Sequence, residues 1–348
     1  MIRVKEKIRY DINVHREQNK LILLNTRRGI TVNENDEDDT FSLRDVRLIA
    51  LKIKSRKCVT KNLLKLLKHA LLNGQDYILE FFRCQGATDS LLHYTSSKDD
   101  DIKLAAIECF CNMALGDQKT CIKLAKLITP YLMIHINSLN FNVSSMSIWT
   151  LGNLSGSSEK VCEVLENQNV FIALVNCLRI STCDEVIKNT FYALKLMLKN
   201  FISHLKIEPL VELLHLCVKL SDTWKESFWI IYQISCLENS KLFYEDLMKH
   251  LFNLIHSDIC TDIVCLVPIL RTLGNIVQAL SSDLRKNFLV ELKSKGPSIQ
   301  NILLKNKQID LSKECAWLLG NVLNSLNVNS INNVIIFDFE EICSYLFV

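Results

Sequence analysis

The sequence is poor in the residues that interrupt regular structure. Its 348 residues include nine glycines and four prolines, too few for the recurring tight turns of an all-β chain. No eighteen-residue run is uninterruptedly apolar, and the N-terminal MIRVKEKIRYDINVHRE lacks the apolar core of a signal peptide. No membrane segment is therefore expected. Fourteen cysteines stand singly in apolar patterns with no CxxC pair, which reads as reduced core thiols in a cytosolic or nuclear protein. The Cys109 and Cys111 pair and the His215 and Cys217 pair are too isolated for a zinc site. Glycine-rich phosphate loops, GxSxG elbows and HExxH strings are missing, so the expectation is a non-enzyme without cofactor or metal. A formal net charge of +3 is too small for strong nucleic-acid binding.

What the chain does have is a helical repeat in which 49% of residues are hydrophobic. Its clearest copy is SIWTLGNLSG, Ser147 to Gly156, where Trp149 and Asn153 are four apart and share one helix face. Weaker copies carry Glu108 and Asn112, Tyr192 and Leu196, Trp229 and Gln233, Arg271 and Asn275, and Trp317 and Asn321. The second members are separated by 41, 43, 37, 42 and 46 residues, the period of armadillo or HEAT repeats. Stacked helical repeats share one core and leave a concave surface lined by one helix from each. The predicted fold is all-α, a right-handed armadillo-repeat superhelical solenoid of about seven repeats plus a partial eighth. Its expected parts are a basic segment at 1–29, an acidic linker at 30–43 and the solenoid at 44–348.

At these residues the chain resembles the importin-alpha family, whose third helices carry a WALxN pattern; here the strings are WTLGN and WLLGN. The resemblance includes an exception, since that family has Arg for Trp in its sixth repeat within PALRAVGNIV, and this chain reads PILRTLGNIV. It looks like a divergent member, similar to the branch named transmembrane and coiled-coil domain-containing. The resemblance implies an adaptor for nuclear protein import, in cytoplasm and nucleus, that holds extended basic localisation-signal peptides. The rival is an armadillo scaffold that has lost signal binding and holds another protein segment.

Such a groove needs amides to bond a peptide backbone and indoles to flank lysine stems. The candidate residues are Glu108, Asn112, Trp149, Asn153, Tyr192, Trp229, Gln233, Arg271, Asn275, Trp317 and Asn321. By alignment to the family, the main site spans repeats two to four and the second spans repeats six to eight. In the main site only the Trp149 and Asn153 rung is intact, and Leu196 cannot bond a backbone. The expectation is that Trp149 and Asn153 face solvent; if they point into the inter-repeat core, that reading fails. Residues 41–348 carry +3, whereas a groove for basic peptides sits in an acidic field.

Residues 1–29 hold eight Lys or Arg against three acids. The resemblance makes this segment an importin-beta-binding-like stretch, with Arg16, Lys20, Arg27 and Arg28 as its cations; a solvated basic tail is the plainer alternative. Glu34, Asp36, Glu37, Asp38 and Asp39 follow without a single Lys or Arg, as in a flexible acidic linker. The chain ends on Leu346, Phe347 and Val348, an apolar end where a solenoid would need a polar cap.

Overall fold

The computed structural model describes residues 41–57, 59–237, 245–255, 263–305 and 309–325. The basic segment, nearly all of the acidic linker and the expected partial eighth repeat lie outside the described residues. Among these, every regular element is helical.

The helices recur in groups. The first is α1 (Leu43–Ser55) and α2 (Lys61–Ala70). The second is α3 (Gln75–Arg83), α4 (Ala87–Tyr94) and α5 (Asp100–Met113). The third joins α6 (Gln118–His135) to α7 (Phe141–Ser155), and the fourth comprises α8 (Glu159–Glu166), α9 (Val170–Ile180) and α10 (Asp184–Phe201). Then come α11 (Ile207–Leu220) with α12 (Glu226–Ser235), α13 (Glu245–Leu254) with α14 (Ile263–Ala279), and α15 (Ser282–Lys305) with α16 (Ile309–Ser325).

The last helix of each group packs on the last helix of the next, so α2, α5, α7, α10, α12, α14 and α16 form one continuous layer. The remaining helices form a second layer, in which α1 packs on α3 and α4, α6 on α8, α9 on α11, and α13 on α15. Between the layers lies the core, whose fully buried aromatic residues include Phe81, Phe110, Phe171, Phe191, Phe228, Phe252 and Phe288.

Local chemistry explains where the layer helices start. Thr60 caps α2 by accepting from the Leu63 N–H, Asp99 caps α5 at Asp101 and Ile102, and Asn140 caps α7 at Asn142 and Val143. Each cap satisfies backbone donors that the first turn cannot. Near Asn140 the device also crosses repeats, since its Nδ2 donates to Asp100 Oδ2 at 2.9 Å.

Two prolines do not break their helices. Pro130 and Pro297 stand where a separate middle helix would begin, yet α6 continues across the first to His135 and α15 across the second to Lys305. Pro130 removes only one backbone donor near the end of α6, and the buried Leu124, Ile128 and Leu132 hold the helix across it. In the fifth group the reverse occurs: only a 3-10 turn, Ile202–His204, stands before α11.

Candidate peptide-binding groove

The rung amides are committed to the seams between repeats. Asn112 Nδ2 donates to the Lys68 carbonyl at 2.8 Å, and Asn153 Nδ2 to the Cys111 carbonyl at 3.2 Å. Both carbonyls lie in the last turn of a layer helix, where acceptors have no intrahelical donor. Each Asn therefore caps the helix of the preceding repeat. Leu196 cannot do this, and Asn200, one turn later, takes the task by donating to the Ser155 carbonyl at 2.8 Å. Gln233 Nε2 donates to the Lys195 carbonyl at 3.0 Å.

This corrects the expectation for the main site. Asn153 is 5% exposed, and its Oδ1 is also taken, accepting from the Tyr192 hydroxyl at 2.9 Å. Trp149 is 7% exposed and packs against Tyr192, with ring centroids 5.6 Å apart and the planes tilted by 41°. Its Nε1 is buried with no acceptor among the described residues. The Trp149 and Asn153 pair points into the inter-repeat core, because the next repeat's aromatic ring covers the face they share.

The residue just before each rung amide determines what the following repeat can place on it. Gly152 precedes Asn153, and a Cβ there would meet Tyr192 Cδ1 at 2.7 Å. Gly274 precedes Asn275, and a Cβ there would clash with the Trp317 ring. Before Asn112 the place is held by Cys111, whose Sγ accepts from Asn153 Nδ2 at 3.2 Å, and at the two other positions without the glycine a cation and an aromatic face each other. Lys195 Nζ lies 5.1 Å from the Trp229 ring centroid, and Arg271 Cζ lies 5.6 Å from that of Tyr232. The GN dipeptide thus has two faces, one opening toward the next repeat and one bonding the previous repeat.

These pairings also occupy the receptors that a lysine-rich peptide would need. Glu108 is half-buried and ion-paired with Lys68 at 3.0 Å. Trp229 already carries Lys195. Arg271 Nε donates to Glu314 Oε2 at 2.9 Å, and its Nη2 donates to Oε1 of the same carboxylate. That bond further favours the charged guanidinium. Burial pushes the Tyr232 phenol above its ordinary range, with Arg271 opposing.

One stretch remains open. Tyr232, Arg271, Asn275, Lys313, Glu314 and Trp317 line a pocket of about 410 Å³. Trp317 is 43% exposed. Asn275 uses only its Nδ2, on Ser235 Oγ at 2.9 Å and Cys236 Sγ at 3.5 Å, and Asn321 uses only its Oδ1, accepting from Gln278 at 3.0 Å. Among the described residues, the Asn275 acceptor and the Asn321 donor are unused. Sequence reasoning identified four of these seven residues. It missed Tyr232, Lys313 and Glu314, although Glu314 stands three before Trp317 and one helical turn away on the same face. Asn200 and Lys195 were missed as well, and only the seam geometry reveals them.

Among the described residues no group of His, Cys, Asp and Glu is placed to hold a metal ion, and no helix is long and apolar enough to cross a membrane.

No protein-family model matches the chain. It is 25% identical over 237 residues to importin subunit alpha-9 of Arabidopsis thaliana, an alignment that covers 64% of this chain and 45% of that protein. The chain thus spans less than half the length of that relative. Among solved structures it is similar to an engineered protein from the Northeast Structural Genomics Consortium, with a TM-score of 0.65 and 18% identity, covering 80% of this chain and 68% of the other. A designed armadillo repeat protein in complex with the peptide (KR)4 is 14% identical with a TM-score of 0.47, covering 80% of this chain and 99% of the other. The chain has the all-α armadillo-repeat fold, a stack of helical repeats whose third helices form one layer.

Proposed function

We propose that this armadillo scaffold is an importin-alpha-like adaptor that holds an extended peptide along α12, α14 and α16. The observation that carries the proposal is the open pocket between Tyr232 and Trp317, where an exposed indole lies beside the unused Asn275 acceptor, with the unused Asn321 donor one turn along α16 from Trp317. An extended backbone needs both kinds of partner. The indole face would flank the stem of a peptide lysine, a contact of about 0.5–2 kcal/mol. The 25% identity to importin subunit alpha-9 supports the import role, and a place in cytoplasm and nucleus is part of the same proposal. Arg16, Lys20, Arg27 and Arg28 carry the importin-beta part of the proposal, tested by pull-down of importin-beta with and without residues 1–29.

A second reading is a scaffold for an extended segment poor in lysine. The observation favouring it is that the chain's own cations, Lys195 and Arg271, already sit on the Trp229 and Tyr232 faces, with Lys313 at the pocket. Titrating a labelled lysine-rich peptide, and the same peptide with glutamines for lysines, separates the two. Tighter binding of the lysine peptide, weakened in Trp317→Ala and Asn275→Ala, supports the adaptor. Equal or tighter binding of the glutamine peptide supports the scaffold. If neither variant weakens either peptide, the pocket is not the binding site.

A further inference from the structure

We infer that the exposed face of α1 and α2 is a second, independent docking surface, whose occupant is an acidic amphipathic helix of a partner protein. Residues 43–70 contain nine Lys or Arg (44, 47, 52, 54, 56, 57, 61, 65 and 68) and one acid, Asp45, a formal charge of +8. Yet residues 41–348 as a whole carry only +3, so the positive charge is concentrated in this one repeat.

Packing places much of that charge on an exposed face. The buried residues of α1 are Val46, Ile49, Ala50 and Ile53, and this side meets α3 and α4. The buried residues of α2 are Leu64, Leu67 and Ala70, on the side that meets α5. The opposite sides of both helices point away from the second repeat. On that side Leu48 and Leu51 of α1 are 50% and 48% exposed, and elsewhere on the two helices Leu43 and Leu66 are 41% and 44% exposed. Leu48 and Leu51 share one helix face, with Arg44 and Lys52 beside them. Three of the nine cations bridge back to the second repeat: Arg47 to Glu80, Lys61 to Asp101 and Lys68 to Glu108. Arg44, Lys52, Lys54, Lys57 and Lys65 are exposed and have no ion-pair partner among the described residues.

Leu48 and Leu51 thus lie at the surface beside the exposed Arg44 and Lys52. The leucines fit an apolar stripe at helical spacing, and the cations fit carboxylates along its flanks. A second copy is disfavoured, because an isologous dimer would set +8 against +8. A lipid surface fits less well, because residues 43–70 include no tryptophan, tyrosine or phenylalanine to anchor at an interface.

The test uses the full chain and a synthetic helical peptide with leucines at i, i+4 and i+7 and glutamates on both flanks. The controls are the same peptide with lysine for glutamate, and phosphatidylserine vesicles. The glutamate peptide should bind saturably at low salt. Its affinity should fall about tenfold in Leu48→Ser with Leu51→Ser, and about tenfold in Arg44→Glu with Lys52→Glu. Asn275→Ala should leave it unchanged, which separates this surface from the groove. All four substituted positions are exposed, so the fold tolerates these changes. Equal binding of the lysine peptide, affinity unaffected by both double variants, or capture by vesicles in place of the peptide would each overturn the inference. So would sedimentation of the chain as a dimer that the charge reversal dissociates.

Discussion

Replacing Asn153 with alanine tests whether the ladder asparagines act as seam caps or as peptide ligands. Across its seams Asn153 donates from Nδ2 to the Cys111 carbonyl and, more weakly, to the Cys111 Sγ, both at 3.2 Å, and accepts from the Tyr192 hydroxyl at 2.9 Å. Each bond to oxygen is worth about 1 kcal/mol net, and a buried carbonyl deprived of its donor adds a penalty of about 1–3 kcal/mol. The Tyr192 hydroxyl is half-buried and can turn toward water, so the carbonyl dominates. The expected loss is about 2–4 kcal/mol, borne by the seams that join α7 to α5 and to α10.

Because a solenoid is stabilised repeat by repeat, the loss should appear as faster amide exchange in α5, α7 and α10, with little change in α14 and α16. A denaturation midpoint alone would blur this, since long repeat arrays depart from two-state behaviour. A double-mutant cycle with Tyr192→Phe isolates the Oδ1 bond, with an expected coupling of about 1 kcal/mol. If Asn153→Ala costs less than about 0.5 kcal/mol while abolishing peptide binding, Asn153 is a ligand and the capping argument is wrong.

Two glycines make a matched pair. Gly274→Ala drives a methyl into Trp317 and should cost about 1–3 kcal/mol with a shifted tryptophan emission, whereas Gly320→Ala meets no atom within 4 Å and should be neutral or slightly stabilising. Tyr232→Leu removes the face under Arg271 but keeps Glu314, so stability should fall by only about 0.5–1 kcal/mol; a larger loss in thermal unfolding would mean that Arg271 depends on Tyr232. His135 Nε2 lies 2.8 Å from the Thr95 carbonyl, and burial holds its pKa below the ordinary value. The neutral form is therefore favoured by folding, so its contribution is present above about pH 6.5 and declines as pH falls through and below that value; His135→Gln should flatten the slope measured between pH 7 and 5. Burial pushes the Cys162 and Cys315 thiols up to about 12, while Cys236 is exposed. Among the described cysteines a thiol reagent should therefore label Cys236 first, and a native chain in which Cys162 reacts as fast would contradict the packing.

The repeat was legible because each rung residue has a neighbour about forty positions away on both sides, and the same constraint acts at every seam. Helical spacing places Trp149 and Asn153 on one face, but it does not say what covers that face. The covering group is Tyr192, from the next repeat, and nothing within SIWTLGNLSG indicates it. Similarly, Leu196 looked like a lost rung, whereas the bond had moved one turn along to Asn200. The fused helices α6 and α15 were hidden by prolines, whose single missing donor is outweighed by burial that no local pattern records.

The recurrence of WxxGN therefore supports stacking before it supports ligand binding. At Gly152 and Asn153 the glycine admits the next repeat's ring and the asparagine caps the previous repeat's helix, so both are required by that seam whether or not a peptide ever binds, while at Gly320 and Asn321 neither task is filled among the described residues. At Lys195 and Tyr232, where the pattern departs from this form, the departures are paired across a seam: Lys195 faces Trp229, and Tyr232 faces Arg271. A departure that relaxed only ligand binding would show no such pairing. The argument for a peptide must then rest on atoms without a seam task. These are the exposed face of Trp317, the Oδ1 of Asn275 and the Nδ2 of Asn321, which lie together along α14 and α16. Substitutions there should alter peptide affinity with little effect on stability, and those at Asn153 should do the reverse.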